Sequence, residues 1–259
     1  MSETEDKRSF IQRLFTRIAP RYDWFNRLAS CGLDQGWRRL ALARGAIGPG
    51  QRILDVCTGT GDLALLCARS QHGSGSVIGV DLNAAMLSFA HQKSRRGTSG
   101  PSWAQADALQ LPFADASVDR VTIGFSTRNL SDLQAGLREF IRVLRPGGRL
   151  IILETGRPAN PVARFGYQLY LFTYARAVGW LLTGRVWPFT YLATSVKGFV
   201  TPAQMVEYLQ RAETTVEYLP LSCGLASLFV ATKQRSTDAR NYHAQDAYAS
   251  ASCGGTSRR

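Results

Sequence analysis

One stretch of sequence decides the fold: residues 53–64, Ile53-Leu54-Asp55-Val56-Cys57-Thr58-Gly59-Thr60-Gly61-Asp62-Leu63-Ala64. Its apolar first part predicts a buried strand, and the small and apolar residues from Leu63 onward predict a helix. Between them, Gly59 and Gly61 allow a tight turn and a close approach of a ligand to the backbone, next to the N–H groups of the helix N-terminus. The spacing Gly59-x-Gly61-x-x-Ala64 also fits a dinucleotide-binding fingerprint. The glycines therefore predict a nucleotide-binding βαβ unit without identifying the ligand.

The acids around this turn say more about the ligand. Asp55 lies at the end of the predicted strand, Asp62 follows the last glycine, and Asp81 ends a second apolar run twenty residues beyond Gly61. An acid at the position of Asp81 accepts hydrogen bonds from both ribose hydroxyls of an adenine nucleoside. Three carboxylates repel a pyrophosphate and attract a cation. We therefore predict that the ligand is S-adenosylmethionine, which carries a sulfonium and an amino group. The alternative is a βαβ unit that binds no such ligand, whose acids only cap helix ends and face solvent.

Composition sets the class of partner. The 259 residues include 31 Lys and Arg against 19 Asp and Glu, a net charge of +12. This balance favours an anionic partner, either nucleic acid or a membrane surface, without choosing between them. The five cysteines form no CxxC pair, which is typical of a reduced compartment without disulfides or a zinc site. The sequence also has no HExxH motif or carboxylate cluster with metal spacing, so we expect no metal.

The chain divides into three predicted segments. Residues 1–45 have apolar side chains at helical spacing, interrupted at Pro20. This segment either packs against the sheet edge or folds over the nucleotide as a lid that places Tyr22 near the ligand. The acidic N-terminus has no apolar signal region, so we expect a cytoplasmic protein. Residues 46–233 form the predicted nucleotide-binding domain, and residues 234–259, rich in Ser, Ala, Gly and Arg, a disordered tail.

Further strands complete an α/β pattern. We predict strands at residues 103–106, 118–125 and 149–154, alternating with helices, and a closing antiparallel pair at 216–219 and 225–232. Alternation of this kind predicts a doubly wound, mostly parallel sheet with its ligand at the carboxyl ends of the strands. Asp107 and Ala108 follow the third strand, where a side chain could reach the adenine amino group.

Residues 161–199 differ from the rest in composition. Ten aromatics stand among cations there: Phe165, Tyr167, Tyr170, Phe172, Tyr174, Trp180, Trp187, Phe189, Tyr191 and Phe199, with Arg164, Arg176, Arg185 and Lys197. Arg176 breaks the best apolar run, so we do not expect a membrane span. The segment is predicted to be a helical cap over an apolar substrate, and its composition also suits a membrane interface.

The motifs resemble those of the class I S-adenosylmethionine-dependent methyltransferases. The resemblance rests on Asp55-Val-Cys-Thr-Gly-Thr-Gly, Val80-Asp81, Leu111-Pro-Phe and Leu144-Arg-Pro-Gly-Gly-Arg-Leu150. More narrowly, four features resemble the quinone-biosynthesis C-methyltransferases of the UbiE/MenG/COQ5 group: Arg21-Tyr22-Asp23 with Asn26, Gly61-Asp62-Leu63, Phe125-x-x-Arg128-Asn129 and Tyr191-Leu192-x-x-Ser195. The resemblance covers roughly residues 10 to 233. It implies a Rossmann-like fold with a seven-stranded sheet and a C-terminal antiparallel strand.

The resemblance also implies an activity. That group methylates a ring carbon of a prenylated hydroquinone, such as demethylmenaquinol or a ubiquinone precursor, at a membrane surface. It implies a prenylated quinol substrate, a peripheral position on the inner face of the membrane, and no nucleic acid. The cofactor contacts predicted from motif and resemblance together are Asp55, Gly59, Thr60, Gly61, Asp81, Leu82, Asp107 and Ala108. The predicted catalytic residues are Arg128, Asn129 and Tyr22.

This chain departs from the group's usual pattern on the substrate side. Gly124-Phe125-Ser126-Thr127 stands where the group has Ser-Phe-Gly and a variable residue, and Leu153-Glu154-Thr155-Gly156 stands for Leu-Glu-Phe-Ser. Where the group usually has Ala-Gly-Phe, this chain has Ala212-Glu213-Thr214, and it has Phe229 where the group often has a histidine. These differences leave the cofactor motifs intact, so the reaction type is better defined than the acceptor.

Arg128 has two interpretations. It either stabilises a phenolate on the substrate, directly or by orienting a water with Asn129, or it forms a surface ion pair with Asp132 one turn later. Two other functions stay open: methylation of another lipid or small molecule, such as an amine headgroup, and nucleic-acid binding by a basic protein on the same fold.

Overall fold

The computed structural model describes residues 3–95, 100–158, 160–184 and 187–235, with side chains for all of these except residues 3–6, 183 and 187–189. The predicted tail is described only at Gln234 and Arg235, and residues 236–259 lie outside the described part of the chain.

A single seven-stranded sheet forms the centre of the described chain. Its strands are β1 (Arg52–Val56), β2 (Ser76–Asp81), β3 (Ser102–Gln105), β4 (Val118–Gly124), β5 (Leu144–Thr155), β6 (Thr214–Leu221) and β7 (Ala226–Lys233). They lie in the order β3-β2-β1-β4-β5-β7-β6, with β1 to β5 paired in parallel and β7 antiparallel to both of its neighbours. The predicted doubly wound, mostly parallel sheet is confirmed. The strand order reverses between β1 and β4, which is where such sheets bind ligands.

Helices cover both faces of this sheet. They are α1 (Glu3–Ile18), α2 (Tyr22–Ala29), α3 (Leu33–Arg44), α4 (Asp62–Ser70), α5 (Ala84–Ser94), α6 (Leu133–Val143), α7 (Pro161–Tyr170), α8 (Arg176–Thr183), α9 (Trp187–Gly198) and α10 (Pro202–Arg211). Helical structure predicted for the N-terminal segment and for the aromatic insert is confirmed. A π-helical turn, Leu171–Ala175, joins α7 to α8. In the part of the chain described here, no helix is long and apolar enough to cross a membrane.

Alternate residues of β5 divide the core into two layers. Leu150 and Ile152 pack with α6 and α10, whereas Ile151 and Leu153 pack on the opposite face with α3. Successive side chains of a strand point to opposite faces, so a strand buried on both sides reads as one continuous apolar run. Each such side chain contributes roughly 1.5–3 kcal/mol when fully buried. The central strands are therefore held from both faces, with their carboxyl ends left for the site.

The predicted start of the fifth strand at Arg149 is wrong. The strand begins at Leu144, directly after α6, and its first residues bulge: Val118 pairs with Leu144, but Arg120 already pairs with Arg149. Gly147 has a φ of +79°, a conformation that glycine adopts without steric cost, and this lets the chain bulge without leaving the sheet. A Pro-Gly-Gly sequence also fits a stop between helix and strand, but here it forms a bulge inside the strand.

A substitution at Gly61, in the glycine turn, tests how tightly the residues beneath the site are packed. It has a φ of +83°, and a Cβ placed there would lie 2.5 Å from the Trp103 ring and 3.0 Å from Ala90 Cβ. We expect Gly61→Ala to lower the free energy of unfolding by roughly 2–4 kcal/mol, because left-handed strain and overpacking add. The control is Gly36→Ala in α3, where a Cβ meets nothing within 4 Å. Urea unfolding of both variants provides the measurement, and equal midpoints for the two would contradict this account.

Candidate active site

A buried carboxylate holds the glycine turn against the sheet. Asp55, at the end of β1, is 1% exposed and accepts hydrogen bonds from the Thr58 hydroxyl (2.5 Å) and from the Thr122 hydroxyl of β4 (2.6 Å). Burial raises the pKa of Asp55 to about 6, although both hydroxyls act to lower it. Asp55 thereby ties the turn to the neighbouring strand, underneath the site.

Asp81 supports the same turn from β2. Its two carboxylate oxygens accept the backbone N–H groups of Gly59 and Asn83, each at 2.8 Å. Burial raises the pKa of Asp81, and these N–H groups oppose that rise. Each carboxylate oxygen has a second lone pair, so the group can still accept the two hydroxyls of a ribose.

A cleft opens above the turn at the carboxyl ends of β1, β2 and β4. Among the predicted residues, those that line it are Tyr22, Gly59, Thr60, Asp81, Leu82, Asp107, Ala108 and Asn129. Asp55 and Gly61 do not line it: the first lies beneath the turn, and the second faces Trp103. Direct cofactor contacts by these two stay predictions, and the geometry assigns them to holding the turn.

Helix α1 borders this cleft through Arg8, Ile11, Gln12 and Phe15. Arg8 forms an ion pair with Asp107 at 2.8 Å. Asn83, the N-cap of α5, donates from its side-chain amide to the Gln12 carbonyl (2.9 Å) and to the Thr16 hydroxyl (2.8 Å). Of the two arrangements open for the N-terminal segment, these contacts favour a cover over the ligand.

Helix α2 is tied to the glycine turn by charge. The Thr60 hydroxyl donates to Asp23 at 2.5 Å, and Lys93 bridges Asp23 (2.5 Å) and Asp62 (2.7 Å). Lys93 offsets part of the negative charge of Asp62, so the attraction of this acid for a cationic ligand is reduced. Asp81 carries no such ion pair in the described structure, which makes it the stronger of the two as a ligand contact.

A second cavity, of about 400 Å³, adjoins the cleft and is mostly apolar. Its walls come from α1, α2, α3 and the aromatic insert, and Phe15 and Tyr22 line both spaces. Their rings meet edge to face, with centroids 5.8 Å apart. Burial raises the pKa of Tyr22, so its phenol stays protonated at neutral pH. Tyr22 therefore lies at the boundary between a polar and an apolar compartment.

Arg128 lines the apolar cavity and does not form the surface ion pair with Asp132 that was one of its two predicted roles. Its guanidinium donates to Glu154 at 2.5 Å and to the Phe125 carbonyl at 2.6 Å, and the two charged side chains are only 7% and 1% exposed. Asp132 instead caps α6 by accepting the Ala135 N–H. The surface ion pair with Asp132 is therefore wrong, because the chain turns Arg128 inward after β4.

Glu154 was missed as a functional residue in the sequence. It ends β5 beside β4, and it also accepts the Thr127 hydroxyl at 2.6 Å and the Thr155 N–H at 2.8 Å. An acid at the carboxyl end of a central strand was the available signal. Burial alone lowers the pKa of Arg128, but the carboxylate of Glu154 more than offsets this, and the net pKa is raised. Arg128 is therefore a permanent cation in an apolar wall.

Asn129 lies on the cofactor side of the same turn. Its side-chain oxygen accepts the Tyr191 hydroxyl at 3.0 Å, and the Tyr191 ring meets Phe10 of α1 with centroids 5.3 Å apart. The Tyr-Leu-x-x-Ser element of α9 thus reaches the predicted Arg-Asn pair. Trp187 and Phe189 of that helix lie outside the described side chains.

The fold and this cleft define a class I S-adenosylmethionine-dependent methyltransferase. A family model described as the ubiE/COQ5 methyltransferase family matches residues 1–233, and the chain belongs to that family. It is 37% identical over 234 residues to a demethylmenaquinone methyltransferase of Deinococcus radiodurans, covering 90% of this chain and 97% of that protein. It is 40% identical over 219 residues to one of Thermus thermophilus, covering 84% and 98%. A solved methyltransferase from Aquifex aeolicus shares the fold, with a TM-score of 0.57 and 17% identity over 75% of this chain and 88% of that one.

The cleft fits S-adenosylmethionine by the chemistry of its lining. Asp81, Asp107, Leu82 and Met86 all line it. The predicted contacts, Asp81 with the ribose hydroxyls and Asp107 with the adenine amino group, stay predictions. The acids favour a ligand with positive charge, as expected from the sequence.

Asp81 provides the test of this fit. We expect Asp81→Asn to weaken S-adenosylmethionine binding by about 1–3 kcal/mol, the range for losing hydrogen bonds to a charged group. Titration calorimetry measures the affinity. The matched control is Asp119→Asn at the amino end of β4, whose carboxylate accepts the Arg52 N–H away from the cleft. Unchanged affinity in Asp81→Asn would remove Asp81 from the cofactor site.

Proposed function

We propose that this enzyme methylates a ring carbon of a prenylated hydroquinone. The observation that carries the proposal is the buried Arg128 cation in the wall of an apolar cavity that shares Tyr22 with the cofactor cleft. An apolar cavity suits an isoprenoid tail, and a fixed cation suits an oxygen that becomes negative. The names of the two relatives, demethylmenaquinone methyltransferases, support a naphthoquinol as the acceptor.

The residues of this chain contribute position and charge. S-Adenosylmethionine supplies an electrophilic methyl group from a sulfonium centre. Arg128, held by Glu154, stabilises the phenolate form of the ring hydroxyl, which raises electron density on the adjacent carbon. Holding that carbon in line with the methyl group lowers the barrier by several kcal/mol. Tyr22 and Asn129 keep the ring at the boundary of the two compartments.

The same cation makes an amine acceptor less suitable. A protonated amine in the apolar cavity would face Arg128 at low effective dielectric, where like charges repel strongly. A phenol has the opposite preference, because it becomes an anion during the reaction.

We propose further that the apolar cavity draws its substrate from a membrane surface. An exposed apolar stripe follows one side of α7, where Val162 is 80% and Phe165 69% exposed and Leu169 continues the face. Ala163 and Gly166 on the adjoining side of α7 line the cavity. Arg164 of the same helix and Lys197 of α9 line a further small cavity of the insert. Apolar side chains flanked by cations suit an anionic lipid surface, and they lie at the cavity wall.

The catalytic part of the proposal is tested at Arg128. We expect Arg128→Gln to lower turnover of a short-chain quinol roughly 10²–10³-fold, the effect of removing one electrostatic donor, with S-adenosylmethionine affinity unchanged. The control is Arg120→Gln, a partly buried arginine that donates to the Gly45 carbonyl at the opposite end of β4. Steady-state kinetics with thermal melting checks both variants. Normal turnover in Arg128→Gln, with only a lower melting temperature, would refute the proposed role.

The membrane part is tested with vesicles containing anionic phospholipid. Attraction of cations is screened by salt, whereas burial of apolar side chains is not. We expect binding to weaken as salt rises, and Phe165→Ser with Trp180→Ser to weaken it further at high salt. Replacing Arg164 and Lys197 by Gln should weaken binding at low salt only, with Arg138→Gln on α6 as the control. Absence of vesicle binding at low salt, with normal methylation of a short-chain quinol, would limit the insert to a cap.

A further inference from the structure

Phenolate formation needs a proton acceptor, and the groups already described do not supply one. Arg128 stays protonated because of Glu154. Burial raises the pKa of Tyr22, and it raises that of Tyr167 to about 12, so neither phenol gives an anion near neutral pH. Glu154 is surrounded by its own donors and does not line the cavity. None of these groups accepts the proton, which leaves water or another group of the cavity wall as the base.

Asp34 is the one carboxylate among the described residues that line the apolar cavity. It lies in the first turn of α3 and is 3% exposed. The Ser30 hydroxyl donates to one of its oxygens at 3.0 Å, and the Gln35 side-chain amide donates to the other at 2.9 Å. Each oxygen retains a further lone pair, so the carboxylate can accept a substrate hydroxyl.

Arg38, one turn later on α3, compensates the charge of Asp34. The Arg38 Nε lies 3.6 Å from the carboxylate, too far for a hydrogen bond, and this Nε has no hydrogen-bond partner among the described residues. The guanidinium lies over the Phe125 ring, 5.4 Å from its centroid, and it lines the cofactor cleft. A buried charge without a partner is costly, and each member of this pair gives the other an opposite charge nearby. Because Arg38 does not hydrogen-bond to Asp34, the carboxylate lone pairs that accept a proton stay open.

We propose that Asp34 is the general base that takes the proton from the ring hydroxyl of the acceptor. Arg128 then stabilises the phenolate, and Arg38 provides the opposite charge beside the Asp34 carboxylate. This assignment rests on the proposed quinol methylation and adds the residue that the reaction lacked. It also gives α3 a role in the chemistry that no motif of the sequence indicated.

The proton and electron balance is complete without another reactant. The hydroxyl O–H bond breaks and its proton moves to Asp34. The phenolate ring carbon then forms a bond to the methyl group as the sulfonium–methyl bond breaks, which leaves a neutral thioether and a neutral dienone ring. The C–H proton at that carbon leaves to water, and its electron pair restores the aromatic ring as a phenolate. Asp34 returns its proton to the oxygen, so the net reaction releases one proton to solvent.

Several ionisable groups face Asp34 and shape its pH dependence. Arg38 lies on its own helix, and across the cavity stand Tyr22 of α2, Cys31 of the following turn, Arg128 after β4, and Tyr167 and Tyr170 of α7. The carboxylate of Glu154 raises the pKa of Arg128, and burial raises the pKa of all three tyrosines. Substitution of Asp34 itself therefore tests which group sets the acidic limb of the rate profile.

The test compares Asp34→Asn with the unaltered full-length enzyme, using a short-chain demethylmenaquinol and S-adenosylmethionine. We expect kcat to fall roughly 10²–10³-fold, the usual contribution of a general base, with the KM for the quinol changed by less than about threefold. We also expect the acidic limb of the kcat/KM profile to disappear. Activity of the variant should rise with pH toward about pH 9, because hydroxide then ionises the phenol. Asp34→Glu should retain more activity than Asp34→Asn.

Controls separate this proposal from loss of structure and from failure of the proposed function. Asp115→Asn, at a carboxylate that is 79% exposed, should leave kinetics unchanged. Calorimetric binding of S-adenosylmethionine and thermal melting report folding of each variant. An Asp34→Asn enzyme with kcat within about threefold of the unaltered one, or with the acidic limb retained, overturns the role of Asp34. An unaltered enzyme that binds S-adenosylmethionine but methylates no quinol refutes the proposed function instead.

Discussion

The site depends on one buried carboxylate. Asp55 joins the glycine turn, through Thr58, to the next strand of the sheet, through Thr122. Without that link, the turn would lose its side-chain tie to β4, and only its contacts with β2 and α2 would position it beyond β1. Burial of an acid is costly, which is why the pKa of Asp55 rises to about 6. The buried carboxylate lies where the strand order reverses between β1 and β4, and the cofactor cleft forms above this point.

Two buried ion pairs fix the charges at the apolar cavity, where the substrate is proposed to bind. Arg128 with Glu154 and Asp34 with Arg38 are all less than a tenth exposed. Buried pairs contribute little net stability, because desolvation of both charges offsets their attraction. They fix opposite charges in the same cavity wall, an arginine for a developing anion and a carboxylate for a proton. The apolar lining between them raises the strength of both effects by excluding water.

The cover over the site is built from contacts between distant parts of the chain. Arg8 reaches Asp107, Asp23 reaches Thr60 and Lys93, and Tyr191 reaches Asn129. Most of these groups are half-exposed, so each ion pair contributes about 0–1 kcal/mol. A cover held by many weak contacts can open for cofactor exchange without unfolding the sheet.

The sequence by itself determined the parallel sheet, the glycine turn and Asp81, because strand periodicity, turn chemistry and the acid at a strand end are local properties. Arg128 and Asn129 were predicted through the resemblance of their motif, and the structure places Asn129 in the cleft and Arg128 in the apolar cavity. The start of β5 was wrongly predicted at Arg149, because Pro-Gly-Gly fits a stop as well as a bulge and only pairing with β4 decides between them. The partner of Arg128 was misread for a similar reason: Asp132 is near in sequence, but Glu154 becomes its neighbour only when β5 pairs with β4. The approach of Asp34 to the same cavity was decided only by the tertiary structure, because packing of α3 against the sheet, and not any motif, turns that carboxylate inward.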